Sequence, residues 1–374
     1  MFQKIFRIIK NYVNFFKLHD SKKKIIFYSE NEFYTIHFLS LIETLTINKF
    51  EVTFLTSSEK DDLFKNKKLV NYFYIGDGFL KVMLLCIIKC ELFLTTLTDI
   101  GHNIRKSNFC KKYIYIFHGP TSVHQLFKPH AFNNYDVIFC NGPYQIKELR
   151  HLEKKYNLKK KLLFNVGYPY LDYLIKKSNQ TTKKPSKVIL FAPTWNYNKN
   201  NLFDKKGFEI IEKLIKQNFK VILRPHPEHY KRSMNVINKI NFEFKGEKRF
   251  VLDKNTIALK SMEESELLIT DNSAITIEFL FIFFRPIIYI NFQKKIHNKN
   301  FFDIPIIPIE EKIKNLFGYE IKINQINFFE EHIKKAKTKI SNKSKITQFR
   351  NKNFSNIGNV SESSFDLIKQ LLKK

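Results

Sequence analysis

The chain has 374 residues, with 64 Lys and Arg against 35 Asp and Glu, a formal net charge of +29. That length exceeds one ordinary core and suits two domains, and the surplus of cations favours anionic partners, whether nucleic acid, anionic lipid or phosphorylated substrates. The basic residues are spread along the whole chain without an arginine-rich arm, a zinc finger or an RNA-binding aromatic signature, which excludes specific nucleic-acid recognition. Part of the charge reflects a composition rich in Lys, Asn, Ile, Phe and Tyr together, as an A/T-rich genome writes.

The first 20 residues place Phe2, Ile5, Phe6, Ile9, Val13 and Phe16 at helical spacing, with Lys4, Arg7, Lys10 and Lys17 between them. Such a basic amphipathic helix either lies on an anionic membrane surface or packs on its own domain. No continuous apolar stretch or cleavage site marks a signal peptide there. Elsewhere no uninterrupted apolar run reaches the roughly 18 residues of a spanning helix. The nearest candidates are broken by Lys81 and Lys89, and by Glu278 and Arg285, so both read as core.

Over 21–178, short β-rich runs alternate with helical patterns: KIIFYS, FEVTFLT, YFYIGDG, CELFLTTLTD, KKYIYIFHGP, DVIFCNG and KLLFNVGYP. Continuous apolar strands alternating with helices predict a parallel sheet covered on both faces, a doubly wound α/β domain. Cys86, Cys90, Cys110 and Cys140 match neither a paired zinc motif nor a disulfide framework, and read as reduced, mostly buried thiols of a cytosolic protein. The polar stretch 176–187, KKSNQTTKKPSK, is the best linker. The pattern then restarts over 188–345 with KVILFAPTW, FKVILRPHP, RFVLD, ELLITDNS and RPIIYIN, predicting a second α/β domain. The remainder, 346–374, is a tail whose Phe365, Leu367, Ile368, Leu371 and Leu372 suit a docked terminal helix.

The predicted strand ends carry the chemistry. His118 and Gly119 follow YIYI, Gly167 follows KLLF, and Pro193 and Thr194 follow VILF. Arg224 and His226 follow the VIL of FKVILRPHP, and Thr270, Asp271, Asn272 and Ser273 end or follow ELLIT. Ligands of open parallel sheets bind outside these carboxyl ends, so the groups are expected to share one cleft between two facing domains. Small hydroxyl and amide residues where a strand turns into a helix suit phosphate, because the helix offers free N–H groups and a positive dipole end. Asn272 or Ser273 could equally cap that helix, and Glu278 either turns toward the ligand or lies on a solvated face. The residues suggest no metal cluster.

This ordered set, HG, GYP with a following Asp, APTW, RPHP, and ITDNSA with Glu278 and Arg285-Pro286, resembles the CDP-glycerol glycerophosphotransferase family. These are the teichoic-acid primases and polymerases of bacterial walls. The resemblance runs from about His118 to Asn291 and implies a GT-B-like architecture of two facing Rossmann-like domains. It implies a CDP-alditol donor, a polymer or lipid-linked acceptor, no cofactor, and a cytoplasmic enzyme peripheral to the inner face of the plasma membrane, in surface-polymer or capsule synthesis.

The resemblance casts His118 and His226 as the catalytic histidines, His118 being the base and His226 meeting the donor pyrophosphate. Arg224, Thr270, Asn272 and Ser273 would then bind donor phosphate, and Pro193, Thr194 and Glu278 the nucleotide. Gly119, Gly167 and Asp271 complete the expected site. Two departures stand out: the family's Tyr-Ser-Ser after the aspartate reads Asn272-Ser273-Ala274 here, which removes one hydroxyl, and the HG turn continues as Pro120-Thr121. A GT-B glycosyltransferase acting on a nucleotide sugar would use the same elements, and a non-catalytic polymer-binding protein is a further reading.

Overall fold

A computed structural model describes the chain except residues 1, 99, 179–185, 197–199, 294–295, 341 and 374. Most of the linker expected at 176–187 therefore lies outside the described residues. The chain divides into two compact units, the first formed by 1–120, 127–173 and 353–374, the second by 121–126 and 174–352.

In the first unit seven strands run in chain order: β1 Ile25–Ser29, β2 Val52–Thr56, β3 Val70–Tyr74, β4 Cys90–Thr95, β5 Cys110–Ile116, β6 Val137–Cys140 and β7 Leu162–Asn165. They form one sheet in the order β3-β2-β1-β4-β5-β6-β7, every pair parallel. β1 and β2 are buried at every position, which explains why neither carries a charged residue: a strand covered on both faces has no solvated side to show. Cys90 stands opposite Cys110 in the β4–β5 register; all four cysteines are unbridged, and all but Cys86 are buried.

The terminal helix Val360–Lys373 belongs to this first unit. Its Val360, Phe365, Leu367, Ile368 and Leu371 join the core built on β1, β2 and β4, and it lies against helix Leu39–Ile47. Two features of the GYP segment admit it. Gly167 has φ +108, and a Cβ there would stand 2.3 Å from the Ser355 carbonyl oxygen and 2.6 Å from Val360 Cγ2. Asp172, the aspartate that follows GYP, accepts from the N–H groups of Gly358 at 2.8 Å and Val360 at 2.9 Å, so its carboxylate holds the start of the helix. Gly167, expected in the ligand site, is thus a packing glycine that receives the returning chain.

The second unit holds β8 Val188–Phe191, β9 Lys220–Leu223, β10 Phe250–Leu252, β11 Leu267–Thr270, β12 Ile287–Asn291 and β13 Tyr319–Lys322. Their order is β10-β9-β8-β11-β12-β13, again wholly parallel. With β8 taken as first, this is the doubly wound order 3-2-1-4-5-6, whose switch point falls between β8 and β11. The doubly wound α/β reading therefore holds for both units. β13 escaped the sequence reading: it is a short edge strand with Glu320 and Lys322 exposed, and carries no apolar run.

Candidate functional site

The switch point of the second unit collects Pro193, Thr194, Thr270, Asp271, Asn272 and Ser273 of the expected site. β8 runs out into Ala192, Pro193 and Thr194, and its neighbour β11 into Asp271, Asn272 and Ser273. Side chains lock the two exits together. The Thr194 N–H donates to Asp271 Oδ1 at 2.7 Å, and the Thr270 hydroxyl donates to the Ala192 carbonyl at 2.7 Å. Asp271 and Thr270 therefore shape the turn by which the backbone leaves each strand.

Helix Ile275–Phe283 starts directly after, with Ala274 at its N-cap and no side-chain hydrogen bond closing it. Neither Asn272 nor Ser273 spends its side chain as the cap, which leaves the capping explanation without support. The Ser273 carbonyl instead accepts from the Thr276 hydroxyl at 2.8 Å. A helix start of this kind presents main-chain N–H groups and the positive dipole end to an anion. Glu278 in the same helix is buried, so it does not lie on a solvated face.

β9 ends in Arg224-Pro225-His226-Pro227. Pro227 takes the first position of helix Pro227–Arg232, where a missing N–H costs nothing, and His226 caps it with φ −62 and ψ 146. His226 Nδ1 accepts from the Glu228 N–H at 3.1 Å, and the His226 N–H donates to His229 Nδ1 at 3.1 Å. This network assigns the neutral His226 tautomer: Nδ1 is an acceptor, so the ring proton sits on Nε2, a donor suited to a phosphate oxygen. Trp195 lies beside it, ring centroids 5.9 Å apart, and the Arg232 guanidinium lies 5.1 Å from the Trp195 ring centroid. His297 packs edge-on against the same indole at 5.7 Å.

Arg224, expected among the phosphate ligands, faces elsewhere. Its guanidinium donates to Asp253 Oδ2 at 2.5 Å and to the Thr256 carbonyl at 3.0 Å, with the two side chains only 14% and 4% exposed. Burial alone would push the Asp253 carboxyl up, but Arg224, the Ser261 hydroxyl and the Asn255 N–H outweigh it and hold it below the usual range. The physical reason for the departure is this pairing: the charge of Arg224 is already met by the loop after β10.

The first unit carries the other histidine. His118 follows β5 in a turn held by two bonds, from Asn141 Nδ2 to the Gly119 carbonyl at 3.0 Å and from the Tyr144 hydroxyl to the Pro120 carbonyl at 2.9 Å. Tyr34 lies against the His118 ring at 4.7 Å between centroids, and His37 and Phe127 approach at 6.3 and 6.4 Å. His37 is itself buried between Tyr168 and Tyr170.

The sequence reading passed over Tyr34, His37, Trp195, Arg232, Asp253 and His297. Trp195 did carry a signal, as the single tryptophan of the chain placed directly after APT. Among the described residues no group of three or more His, Cys, Asp and Glu side chains is arranged to hold a metal ion.

Known structures with this fold include the wall teichoic acid polymerase TagF, 15% identical, with a TM-score of 0.61 over 100% of this chain and 98% of that one. A form of TagF soaked with CDPG gives 14% identity and a TM-score of 0.59, covering 100% and 97%. The UDP-GlcNAc 2-epimerase of Methanocaldococcus jannaschii, in complex with UDP-GlcNAc and UDP, is 14% identical with a TM-score of 0.56, covering 94% and 99%. At these identities the likeness speaks for the GT-B-like fold alone. No curated protein sequence matches the chain. The family model for CDP-glycerol:poly(glycerophosphate) glycerophosphotransferase matches residues 117–364, a span that begins one residue before His118 and takes in both histidine turns and the terminal helix start. The chain belongs to the CDP-glycerol:poly(glycerophosphate) glycerophosphotransferase family.

Proposed function

We propose that this enzyme transfers glycerol phosphate from CDP-glycerol to a hydroxyl of a polymer or lipid-linked acceptor in teichoic-acid synthesis, releasing CMP. The observation that carries the reading is the tied switch point of the second unit, where the Thr194–Asp271 bond sets a helix start suited to a pyrophosphate beside β8 and β11. His226, through Nε2–H, donates to the pyrophosphate, with Thr270, Asn272 and Ser273 shaping the same exit. Pro193, Thr194 and Glu278 serve the nucleotide, and Arg224 acts on this site through the loop it anchors.

His118 takes the proton of the acceptor hydroxyl. The resulting oxygen bonds to the distal phosphorus as the bond to the CMP oxygen breaks and its electron pair leaves with CMP. Phosphoryl transfer asks the protein mainly for placement and charge stabilisation, which backbone N–H groups and a neutral imidazole donor supply. Chromatography of nucleotides released from CDP-glycerol, CDP-ribitol and UDP-sugars tests the assignment. CMP from CDP-glycerol is the expected product; release of UDP from a UDP-sugar, without CMP, would make the protein a glycosyltransferase.

The acceptor side bears on where the enzyme works. No helix among the described residues is long and apolar enough to cross a membrane. Helix Phe2–Lys17 docks on the first unit by one face, through Ile8 and Phe15, with Asn11 Nδ2 donating to the Tyr74 carbonyl at 2.8 Å. Its apolar stripe of Ile5, Phe6, Ile9, Val13 and Phe16 stays exposed, Phe6 at 71%. Phe79, Leu80, Met83 and Ile87 of helix Phe79–Ile87 are exposed as well, Phe79 at 76%, and Leu80 meets Ile9, Val13 and Phe16 around one concavity.

In this reading the patch, with Lys17 at the same concavity, seats the enzyme peripherally on an anionic bilayer. Phe6→Glu/Phe79→Glu is expected to weaken co-sedimentation with phosphatidylglycerol vesicles at least about tenfold, since each buried aromatic contributes about 1.5–3 kcal/mol. Unchanged sedimentation of that variant would remove the membrane assignment.

A further inference from the structure

We propose that Tyr34 and His37 are positioning residues for His118: the aromatic face of Tyr34 stabilises the imidazolium that His118 becomes on taking a proton, while His37 packs edge-on near the ring without adding charge. The inference rests on the reading of His118 as the base. Both residues come from the segment after β1, where Asn31 caps the short helix Glu32–Thr35 by accepting from the Phe33 N–H at 3.0 Å. Three residues apart and one turn on, they reach the same neighbour. Tyr34 meets His118 with ring centroids 4.7 Å apart and planes inclined at 49°, within the range at which a cation gains from an aromatic face.

His37 approaches at 6.3 Å, inclined at 64°. It is 5% exposed, stacked on Tyr168 at 5.9 Å and edge-on to Tyr170 at 5.1 Å, and its Nδ1 has no hydrogen-bond partner among the described residues. Burial first, and the neighbouring charge of His118 second, push His37 well below the ordinary histidine range, so it stays neutral when His118 is charged. The rings that pack against His118 include Tyr34, His37 and the apolar Phe127, with Tyr168 and Tyr170 beyond His37. One neighbour favours the proton on His118, and the other does not compete for it.

The test is an NMR titration of the full chain labelled at histidine Cε1, the His118 and His37 resonances being assigned from His118→Asn and His37→Asn. Tyr34→Leu keeps bulk but removes the aromatic face; Tyr34→Phe keeps the face. The midpoint of His118 is expected to fall by about 0.4–0.7 pH unit in Tyr34→Leu, which is the pH equivalent of a cation–π contact, and to stay in place in Tyr34→Phe. His37 is expected to hold its neutral shift while His118 titrates. In turnover, the acidic limb of kcat/KM for CMP release moves to lower pH by the same amount in Tyr34→Leu. An unmoved His118 midpoint in Tyr34→Leu, an equal movement in Tyr34→Phe, or a His37 that titrates together with His118 would each overturn the proposal. A moved midpoint in a protein that releases no CMP from CDP-glycerol would instead count against the base assignment alone, because the titration does not depend on turnover.

Discussion

Replacing His226 by asparagine is expected to lower kcat for CMP release by about 10²–10³-fold while leaving the melting temperature close to that of the parent. The magnitude is that of removing one preorganised donor from a developing oxyanion. The choice of asparagine separates two duties of the same ring. His226 Nδ1 accepts from the Glu228 N–H and caps helix Pro227–Arg232, and an asparagine oxygen caps as well as any side chain does. The Nε2–H donor has no counterpart in asparagine at that reach. His226→Ala should therefore be less stable than His226→Asn by about 0.5–2 kcal/mol, with activity lost equally in both. Full activity in His226→Asn would leave this histidine only its structural duty, and donor binding would have to be reassigned within the second unit.

The second large effect falls on stability. Asp253→Ala leaves the Arg224 guanidinium, 14% exposed, facing a buried space without its carboxylate. Stranding one member of a buried pair costs about 3–5 kcal/mol, and here the Ser261 hydroxyl and the Asn255 N–H lose the same acceptor. Urea unfolding should show that loss in the transition of the second unit. The double variant Arg224→Met/Asp253→Leu should recover much of it, since an apolar pair of similar volume needs no desolvated charge. Equal stability of Asp253→Ala and the parent would mean that the pair is solvated, returning Arg224 to the candidate phosphate ligands.

The central strands were legible because they are buried on both faces, and runs such as Val188–Phe191 or Leu267–Thr270 have no alternating polar side to confuse them with anything else. The exits of those strands were legible for a related reason: a proline, a hydroxyl or an imidazole directly after such a run stands out. Contacts made across long stretches of chain were not. Arg224 and Asp253 are 29 residues apart, and nothing in either segment announces the other. His37 sits inside an apolar helical pattern and reads as core, which it is; only the fold brings His118 against it. The N-terminal helix was correctly amphipathic, yet its pattern could not say that Ile8 and Phe15 would dock while the richer stripe stayed outside. Gly167 looked like a ligand-site glycine because it follows a strand, and its actual neighbours, Ser355 and Val360, lie almost two hundred positions downstream.

That late return of the chain has a consequence for how the protein is made. The second unit is complete once residue 352 has left the ribosome, whereas the first lacks one wall of its core until the helix Val360–Lys373 emerges. Domains usually finish in the order of their synthesis. Here the order inverts: the unit that opens at residue 1 closes after the second, and until then its Phe50, Leu45 and Leu92 wait for residues 353–374. Loss of the helix Val360–Lys373 would therefore spare the second unit and leave the unit that carries His118 open to aggregation or proteolysis.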